Sequence, residues 1–591
     1  MEQNNVRVTI DGTEVIVPEG TTILNACREL GLKIPTLCNL KDVSDNASCG
    51  VCVVEIIDGS RALARSCIKK VMDGMDIITN SQRIRDARKV NVELLLANHP
   101  QDCLACDRNQ NCELQQITYD LGIREKRFYQ TRPLTGISDS TSPSLIRSQD
   151  KCILCLRCVA VCREIQAVRA IDISGRGLKS RISTYMDKGL GNVACTNCGQ
   201  CALVCPTGAI TEKSSVEEVW HEINNPDRFV VVQTAPAIRV GIGEAVGMPY
   251  GSLVTGKMVT GLRKLGFDKI FDTQFTADLT IMEEANELVS RITQNGVLPM
   301  ITSCSPGWIK FIEHFYPSLL GHLSTCKSPQ QMFGAVAKTY YAEKTGIDPR
   351  KISVVSVMPC TAKKYEAQRP EMQSAFHYWK NKMKLGEKDS FFDVDYVLTT
   401  RELSRMFKES GIDFVHLPEE EFDNPLGAST GAAVIFGATG GVMEAALRTA
   451  YELVTGMTLS ALDFESVRGM DGIKSAEVDL NGKKIKVAVA HTLKNARQIL
   501  EQIERGESPY TFVEVMTCPG GCIGGGGQPI PSNWEIRKKR AESIYFEDAH
   551  KGIRKSHENP ELLTLYKEFL EKPLGHKSHE LLHTRYVDRG M

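Results

Sequence analysis

Apolar and polar positions alternate along the start of the chain, as Val6-Arg7-Val8-Thr9-Ile10 and then Glu14-Val15-Ile16-Val17. A period of two on either side of Asp11-Gly12 predicts a β-hairpin. Thr21 is placed to cap a short helix running to about Leu30, and Val51 to Ile57 reads as a further strand. Residues 82–98 carry a helical pattern that ends in Leu94-Leu95-Leu96. Residues 128–148 mix Pro, Gly, Ser and Thr and read as a connector. Beyond about residue 226 the pattern changes. Short apolar runs at Phe229 to Val232, Leu298 to Thr302 and Ile352 to Met358 predict buried strands, with helical stretches at 274–293 and 328–345. Strands alternating with helices predict an α/β body. The last forty residues are polar and His-rich, with a helix predicted over 560–571. There His576, His579 and His583 have helical spacing, which reads as a solvated or interface helix rather than a metal site.

Charge narrows the function classes. The 591 residues hold 71 Lys+Arg and 72 Asp+Glu, a net charge of −1. That balance argues against a dominant nucleic-acid or anionic-membrane surface. No apolar run reaches the roughly 18 residues of a membrane-spanning helix. Met1 to Ile10 has no apolar signal core, so a cytoplasmic location is expected.

The cysteine count changes the picture most. There are 21, an odd number, which with a reducing compartment argues against a disulfide framework and for metal ligation. Sixteen lie before residue 206. Cys27, on the first helix, reads as a packed core thiol. Cys38, Cys49, Cys52 and Cys67 follow the hairpin and helix. This set resembles the β-grasp ferredoxins, in which four thiolates hold a [2Fe–2S] cluster; a tetrahedral zinc site is the competing use. His99, Cys103, Cys106 and Cys112 offer one imidazole and three thiolates, suited to a [4Fe–4S] cube or to zinc. Directly after a [2Fe–2S] domain, the set resembles the one-histidine cluster of hydrogenases and of the large iron–sulfur subunit of respiratory NADH dehydrogenase.

Cys152-x2-Cys155-x2-Cys158-x3-Cys162 is repeated as Cys195-x2-Cys198-x2-Cys201-x3-Cys205, followed by Pro206. This is the spacing of bacterial two-cluster ferredoxins, where the last cysteine of each run ligates the other cluster. One cube then takes Cys152, Cys155, Cys158 and Cys205, and the other Cys195, Cys198, Cys201 and Cys162. Four clusters in one front half imply electrons that must cross a distance to chemistry in the back half.

Five cysteines remain there: Cys304, Cys326, Cys360, Cys518 and Cys522. Cys326 reads as a buried thiol. The others lie in three unusual loops: Thr302-Ser-Cys-Ser-Pro-Gly-Trp308, Met358-Pro-Cys-Thr-Ala-Lys-Lys364, and Glu514-Val-Met-Thr-Cys-Pro-Gly-Gly-Cys522 with the glycine run behind it. Such glycine density lets backbone approach a bulky inorganic group. These loops resemble the three signature loops of [FeFe]-hydrogenases, and the likeness extends over about residues 5–545. Asp278 to Glu284, Ser324 to Gln331 and Phe436 to Ala446 fit the same family.

The resemblance implies a multidomain α+β and α/β chain. A β-grasp [2Fe–2S] domain would occupy 1–80, a one-histidine/three-cysteine domain 81–125 and a two-[4Fe–4S] ferredoxin domain 140–215. A large α/β catalytic domain would follow over 226–545, then a C-terminal helix and tail over 546–591. It also implies an H-cluster, a [4Fe–4S] cube sharing a cysteine with a diiron unit that carries CO, cyanide and a bridging dithiolate. Cys360, Cys518 and Cys522 would ligate the cube, and Cys522 would bridge. Lys363 would hold a cyanide, while Met358, Met516, Pro236 and Gln330 would enclose the group. Protons would move through Cys304, Glu284, Ser324 and Glu287.

One departure stands out. The common family pattern has two adjacent cysteines in the first loop, the second a cube ligand. Here Ser305 holds that place. Ser305 could ligate, Cys304 could swing into the role, or three cysteines could hold the cube. Gly524 stands where the family usually has Asn. The run Gly241-x-Gly243-x3-Gly247 is not a dinucleotide fingerprint, and Gly437 to Gly441 reads as pocket packing rather than an anion cradle. With no flavin or nicotinamide motif, a separate flavoprotein subunit, with a small [2Fe–2S] subunit, is the expected electron partner; ferredoxin is another. The expected activity is reversible H2 oxidation and proton reduction. An electron-transfer subunit of a bifurcating oxidoreductase, or an H2 sensor, are the readings that Ser305 keeps open.

Overall fold

The computed structural model describes residues 4–58, 62–459, 462–480 and 483–590. The chain divides into two compact units. The first comprises Met1–Ile165, Arg169–Val193 and Val204–Thr211; the second comprises Gln166–Val168, Ala194–Leu203 and Glu212–Met591.

The first unit opens with a five-stranded sheet in the order Thr13–Pro18, Asn5–Ile10, Met75–Ile78, Val53–Ile56, Leu63–Arg65. Asp11 and Gly12 both have positive φ, 49° and 80°, the conformation of a tight two-residue hairpin turn. The following helix is Ile23–Glu29, capped by Thr22, whose side chain accepts from Asn25 N. Thr21, the expected cap, instead donates its hydroxyl to Pro18 O. Cys27 is buried in this core, which pushes its thiol up to about 11. The helix expected over 82–98 is Gln82–Ala97. The connector expected over 128–148 contains the strands Ser138–Asp139 and Leu145–Ser148. Leu145 and Arg147 turn inward there, and Arg147 faces Asp139 at 3.7 Å.

The second unit holds two four-stranded sheets. One is wholly parallel, in the order Lys269–Asp272, Phe229–Thr234, Ile352–Met358, Tyr396–Thr399. The other runs Met300–Ile301, Phe512–Met516, Lys483–His491, Ile473–Leu480, with only the last pair antiparallel. The apolar run Leu298 to Thr302 thus yields a strand of two residues. The helix Thr273–Thr293, capped by Asp272, leads from the strand Lys269–Asp272 of the first sheet to Met300–Ile301 of the second. Its first two-thirds are buried all round, so it runs through the core rather than over it. In open parallel sheets, ligand sites gather beyond the carboxyl ends of the strands. All three cysteine loops leave from such ends, after Ile301, Met358 and Met516.

The C-terminal segment, polar in composition, carries the helix expected over 560–571 and packs it against the core. The helix Pro560–Leu565 and the turn Tyr566–Leu570 bury Leu562, Leu565, Tyr566, Phe569 and Leu570. Those residues share a core with Phe271 and Phe333. Their i, i+3, i+4 spacing is a helical stripe, while Lys567, Glu568 and Glu571 face water. Of the histidine trio, His576 and His579 are exposed and His583 is buried. Among the described residues no helix is long and apolar enough to cross a membrane.

Candidate active site

The three loops of the second unit close around one cavity. Its lining includes Cys304, Ser305, Cys360, Lys363, Cys518 and Cys522, together with Pro236, Gln330, Met358 and Met516. Local chemistry fixes each loop. In the first, Pro306 starts the helix Pro306–Phe315, and fully buried Trp308 donates Nε1–H to Thr302 O at 3.0 Å. In the second, Lys363 lies in the first turn of the helix Ala362–Ala367 and donates to Glu366 Oε2 at 2.8 Å and to Cys304 O at 3.2 Å. In the third, a Cβ on Gly525 would stand 2.1 Å from Pro359 O, so only glycine lets this loop meet the second.

The donor set suits iron. Burial pushes the Cys522 thiol up to about 12 and raises those of Cys360 and Cys518, so none ionises readily without a metal. Thiolate is the ligand form, and metal binding supplies the free energy to make it. Gln330 Oε1 is buried with no hydrogen-bond partner among the described residues.

A line of polar groups lies beside Cys304. Glu284 is fully buried, and its carboxyl is pushed up to about 8 by burial, then by the charge of Glu287, against a hydrogen bond with Ser324. Its Oε2 has no partner among the described residues. Ser324 Oγ donates to Glu287 Oε2 at 2.9 Å, and Arg291 grips Glu287 Oε1 at 2.7 and 3.1 Å. Burial, and next the charge of Glu284, raise the Cys304 thiol well above its ordinary value.

Three of the front cysteine sets also come together within the first unit. In the first unit Cys38 and Cys52 are pulled down by thiol hydrogen bonds, Cys38 from Cys49 and Cys67, Cys52 from Cys67. His99 sits with Cys103 and Cys112 around one pocket, and burial lowers its imidazole to about 4, leaving a neutral ring that is free to ligate. A Cβ on Gly208 would stand 2.8 Å from Cys106 Sγ, and Cys112 Sγ lies 3.5 Å from Pro206 O. Cys152, Cys155, Cys158 and Cys205 line a further cavity. Cys38, Cys49 and Cys155 share one apolar cluster with Cys112 against it, so three of the sets adjoin. Cys162 belongs to this unit as well. In the second unit Cys195, Cys198 and Cys201 lie on a segment that packs onto the third loop. Gln200 donates to Gly524 O at 2.9 Å, and a Cβ on Gly526 would stand 2.2 Å from Cys198 O.

Comparison with known proteins decides the family. Residues 228–526 match the iron-only hydrogenase large subunit, C-terminal domain. Over 98% of its length the chain is 51% identical to the NADP-reducing hydrogenase subunit HndD of Solidesulfovibrio fructosivorans, covering 99% of that protein. It is 41% identical to iron hydrogenase 1 of Clostridium pasteurianum over the same shares. The chain belongs to the [FeFe]-hydrogenases. Residues 534–589 of the hydrogenase match the iron hydrogenase small subunit. Residues 3–82 match a 2Fe–2S cluster binding domain, and 88–127 the NADH-ubiquinone oxidoreductase-G iron–sulfur binding region. Residues 142–211 match the ferredoxin-like domain of NADH-quinone oxidoreductase subunit 3. Among solved structures, the apo [FeFe]-hydrogenase HydA1 of Chlamydomonas reinhardtii, as its C377H variant, is 44% identical with a TM-score of 0.56, covering 64% of this chain and 100% of that one. The hydrogenase therefore carries [2Fe–2S] and [4Fe–4S] domains in front of an H-cluster domain.

Two departures of this hydrogenase now have surroundings. The hydroxyl of Ser305 lies 2.8 Å from Thr517 Oγ1 and accepts from Thr517 N at 3.3 Å. At Gly524 a Cβ would meet Pro519 O at 2.1 Å, so an asparagine does not fit this loop path. Gly437 to Gly441 does hold an anion, one from the chain itself. The Glu514 carboxylate accepts from Gly440 N and Met443 N, both at 2.7 Å, at the start of the helix Gly441–Thr455. Gly241 packs on Gln528, whose Oε1 a Cβ would meet at 2.3 Å.

Sequence reasoning passed over Arg291, Glu366, Thr517 and the anchoring role of Glu514. Arg291 had a local signal, four residues after Glu287 on one helix. So did Glu366, three after Lys363. Thr517 and Glu514 act across more than seventy residues, and no spacing announces that.

Proposed function

We propose that this hydrogenase is the catalytic subunit of an NAD(P)-linked complex. It would interconvert H2 with protons and electrons and pass the electrons through one [2Fe–2S] and three [4Fe–4S] clusters to a flavoprotein subunit or ferredoxin. The carrying observation is the single cavity where Cys360, Cys518 and Cys522 meet Cys304, with Glu284, Ser324 and Glu287 leading away from it. The NADP-reducing relative, alike over nearly its whole length, supports the nicotinamide link. The absence of a flavin or nicotinamide motif in the sequence supports placing that link on another subunit.

In the family the bound diiron group supplies H2 binding and cleavage. The chain supplies everything around it. Cys360, Cys518 and Cys522 would ligate the cube. Lys363, drawn from Glu366, would donate to a cyanide. Met358, Met516, Pro236 and Gln330 would exclude water. Ser305 is committed to Thr517, and Cys304 is near enough to Glu284 for that carboxyl to act on its thiol, which favours three cysteines on the cube and Cys304 in the relay. A proton on Cys304 Sγ passes to Glu284, whose raised pKa lets the carboxyl hold it at neutral pH. Ser324 Oγ, bonded to both carboxylates, carries it on to Glu287, which Arg291 holds in place.

Infrared spectroscopy tests this reading. Protein co-produced with the maturation proteins and purified without oxygen is expected to show CO and cyanide bands that shift under H2. Silence in a sample with fully loaded front clusters, beside a matured positive control, would reject it. S305C is expected to retain the bands but move them and change H2 turnover, because a thiolate then reaches the cube. A variant identical to wild type in both would remove Ser305 from the cluster's surroundings.

A further inference from the structure

The histidine trio and Cys326 take no part in the proposed chemistry, yet the fold brings them to the relay. His583 follows the helix His576–Leu582 and is buried. One ring nitrogen, Nε2, lies 3.2 Å from Glu283 Oε2; the other, Nδ1, lies 2.8 Å from Thr325 Oγ1. Cys326 is fully buried, with Sγ 3.8 Å from Glu287 Oε2. A thiol, an imidazole and a carboxylate from three separate segments thus have their donor atoms within 4.8 Å of one another.

We propose that Glu287, Cys326 and His583 form a binding site for a divalent cation of the zinc class, and that a cation held there stops proton movement through Glu287. The second half rests on the relay described under the proposed function; the first does not.

Four observations carry the site. The donor set, one sulfur, one nitrogen and one oxygen, is what zinc prefers. Zinc–ligand bonds of about 2.0–2.3 Å put tetrahedral donors roughly 3.3–3.8 Å apart, so closing from the present spacing takes side-chain shifts of about an ångström. Next, negative charge is in surplus, from Glu283 and Glu287 even while Glu284 holds its proton. Glu283, Glu284 and Glu287 all act on Cys326, and after burial they are what raise its thiol. Arg291 is the cation paired with Glu287. Third, Glu283 stands behind His583 as the carboxylate that orients a ligating imidazole. Last, there is a way in. The His579 ring is exposed and packs 4.4 Å from that of His583, and His576 is exposed on the turn before.

The charge balance is simple. On binding, the Cys326 thiol gives its proton to solvent and His583 Nδ1 gives up its bond to Thr325. Dication, thiolate and carboxylate then sum to zero, and affinity rises with pH. Glu287 Oε2 is taken from Ser324 Oγ, which breaks the hydrogen-bonded line toward Glu284.

The test uses the cluster-loaded hydrogenase titrated with zinc chloride. H2 turnover is expected to fall and to return with a chelator. Zinc-edge X-ray absorption, which the protein's iron does not obscure, is expected to show one sulfur among nitrogen and oxygen ligands. C326S and H583Q are expected to keep their zinc-free turnover and to need about tenfold or more zinc for the same inhibition. C326S should also lose the sulfur shell. A sulfur shell unchanged in C326S, or equal inhibition of both variants and wild type, overturns the site. A sulfur shell that C326S abolishes, with turnover untouched by zinc, upholds the site and overturns the relay. If C326S fails to load its clusters, H583Q decides alone by the same readings.

Discussion

Replacing Glu284 by Gln is expected to lower H2 turnover by about 10²–10⁴-fold, with the CO and cyanide bands unmoved. Glutamine has the shape of glutamate and can still hydrogen-bond Ser324, but it neither takes up nor releases a proton near neutral pH. Glu284 acts on both Cys304 and Ser324, and its Oε2 has no partner among the described residues to lose. The loss should therefore be one of proton transfer alone. The pH dependence has a definite sign. Burial and the Glu287 charge hold the carboxyl protonated up to about pH 8. Proton reduction draws on the protonated form, so it should decline as pH rises through about 8. H2 oxidation needs the ionised form as acceptor and should climb over the same range. E284Q should flatten both profiles at a low rate. Turnover with artificial electron mediators, followed in both directions across that pH range, measures this. An E284Q enzyme within a few-fold of wild type would show that protons leave the cavity by another way.

The features legible in the sequence are those whose chemistry is written in short range. A cluster or loop needs its ligands at fixed spacing, so Cys152 to Cys162, its repeat, and Thr302 to Trp308 could be read as motifs before any fold was known. The strand Ile352–Met358 was equally plain, because a fully buried parallel strand is an unbroken apolar run. What stayed hidden was set by distant partners. The C-terminal residues look polar when counted, and only their stripe of Leu562, Leu565, Phe569 and Leu570 betrays a buried face. The glycines at 437–441 announced room for an anion but not that Glu514 fills it. Ser305 could be seen to break a pattern, but its tie to Thr517 needed the fold.

The largest expected effect on stability comes from Arg239, and the reason joins the cavity wall to the relay. Its side chain is fully buried and grips both oxygens of Asp272, at 2.8 and 2.9 Å, with Glu547 at 3.2 Å. Arg239 lies three residues beyond Pro236, on the cavity wall, and Asp272 caps the helix that carries Glu284 and Glu287. Removing the cation alone leaves two carboxylates buried without it, so R239M is expected to cost about 3–5 kcal/mol. Removing the charge at Asp272 as well should restore much of that loss. The asparagine of D272N would still cap the helix, and a methionine packs where the guanidinium lay. R239M/D272N is therefore expected to unfold at a denaturant concentration between those of R239M and wild type. Near-additive losses in the double variant would mean that the pair holds no buried charge in balance. Should the pair behave as expected, R239M ought also to slow H2 turnover at temperatures well below its unfolding, because the same bond ties the segment after Pro236 to the start of the helix that carries Glu284.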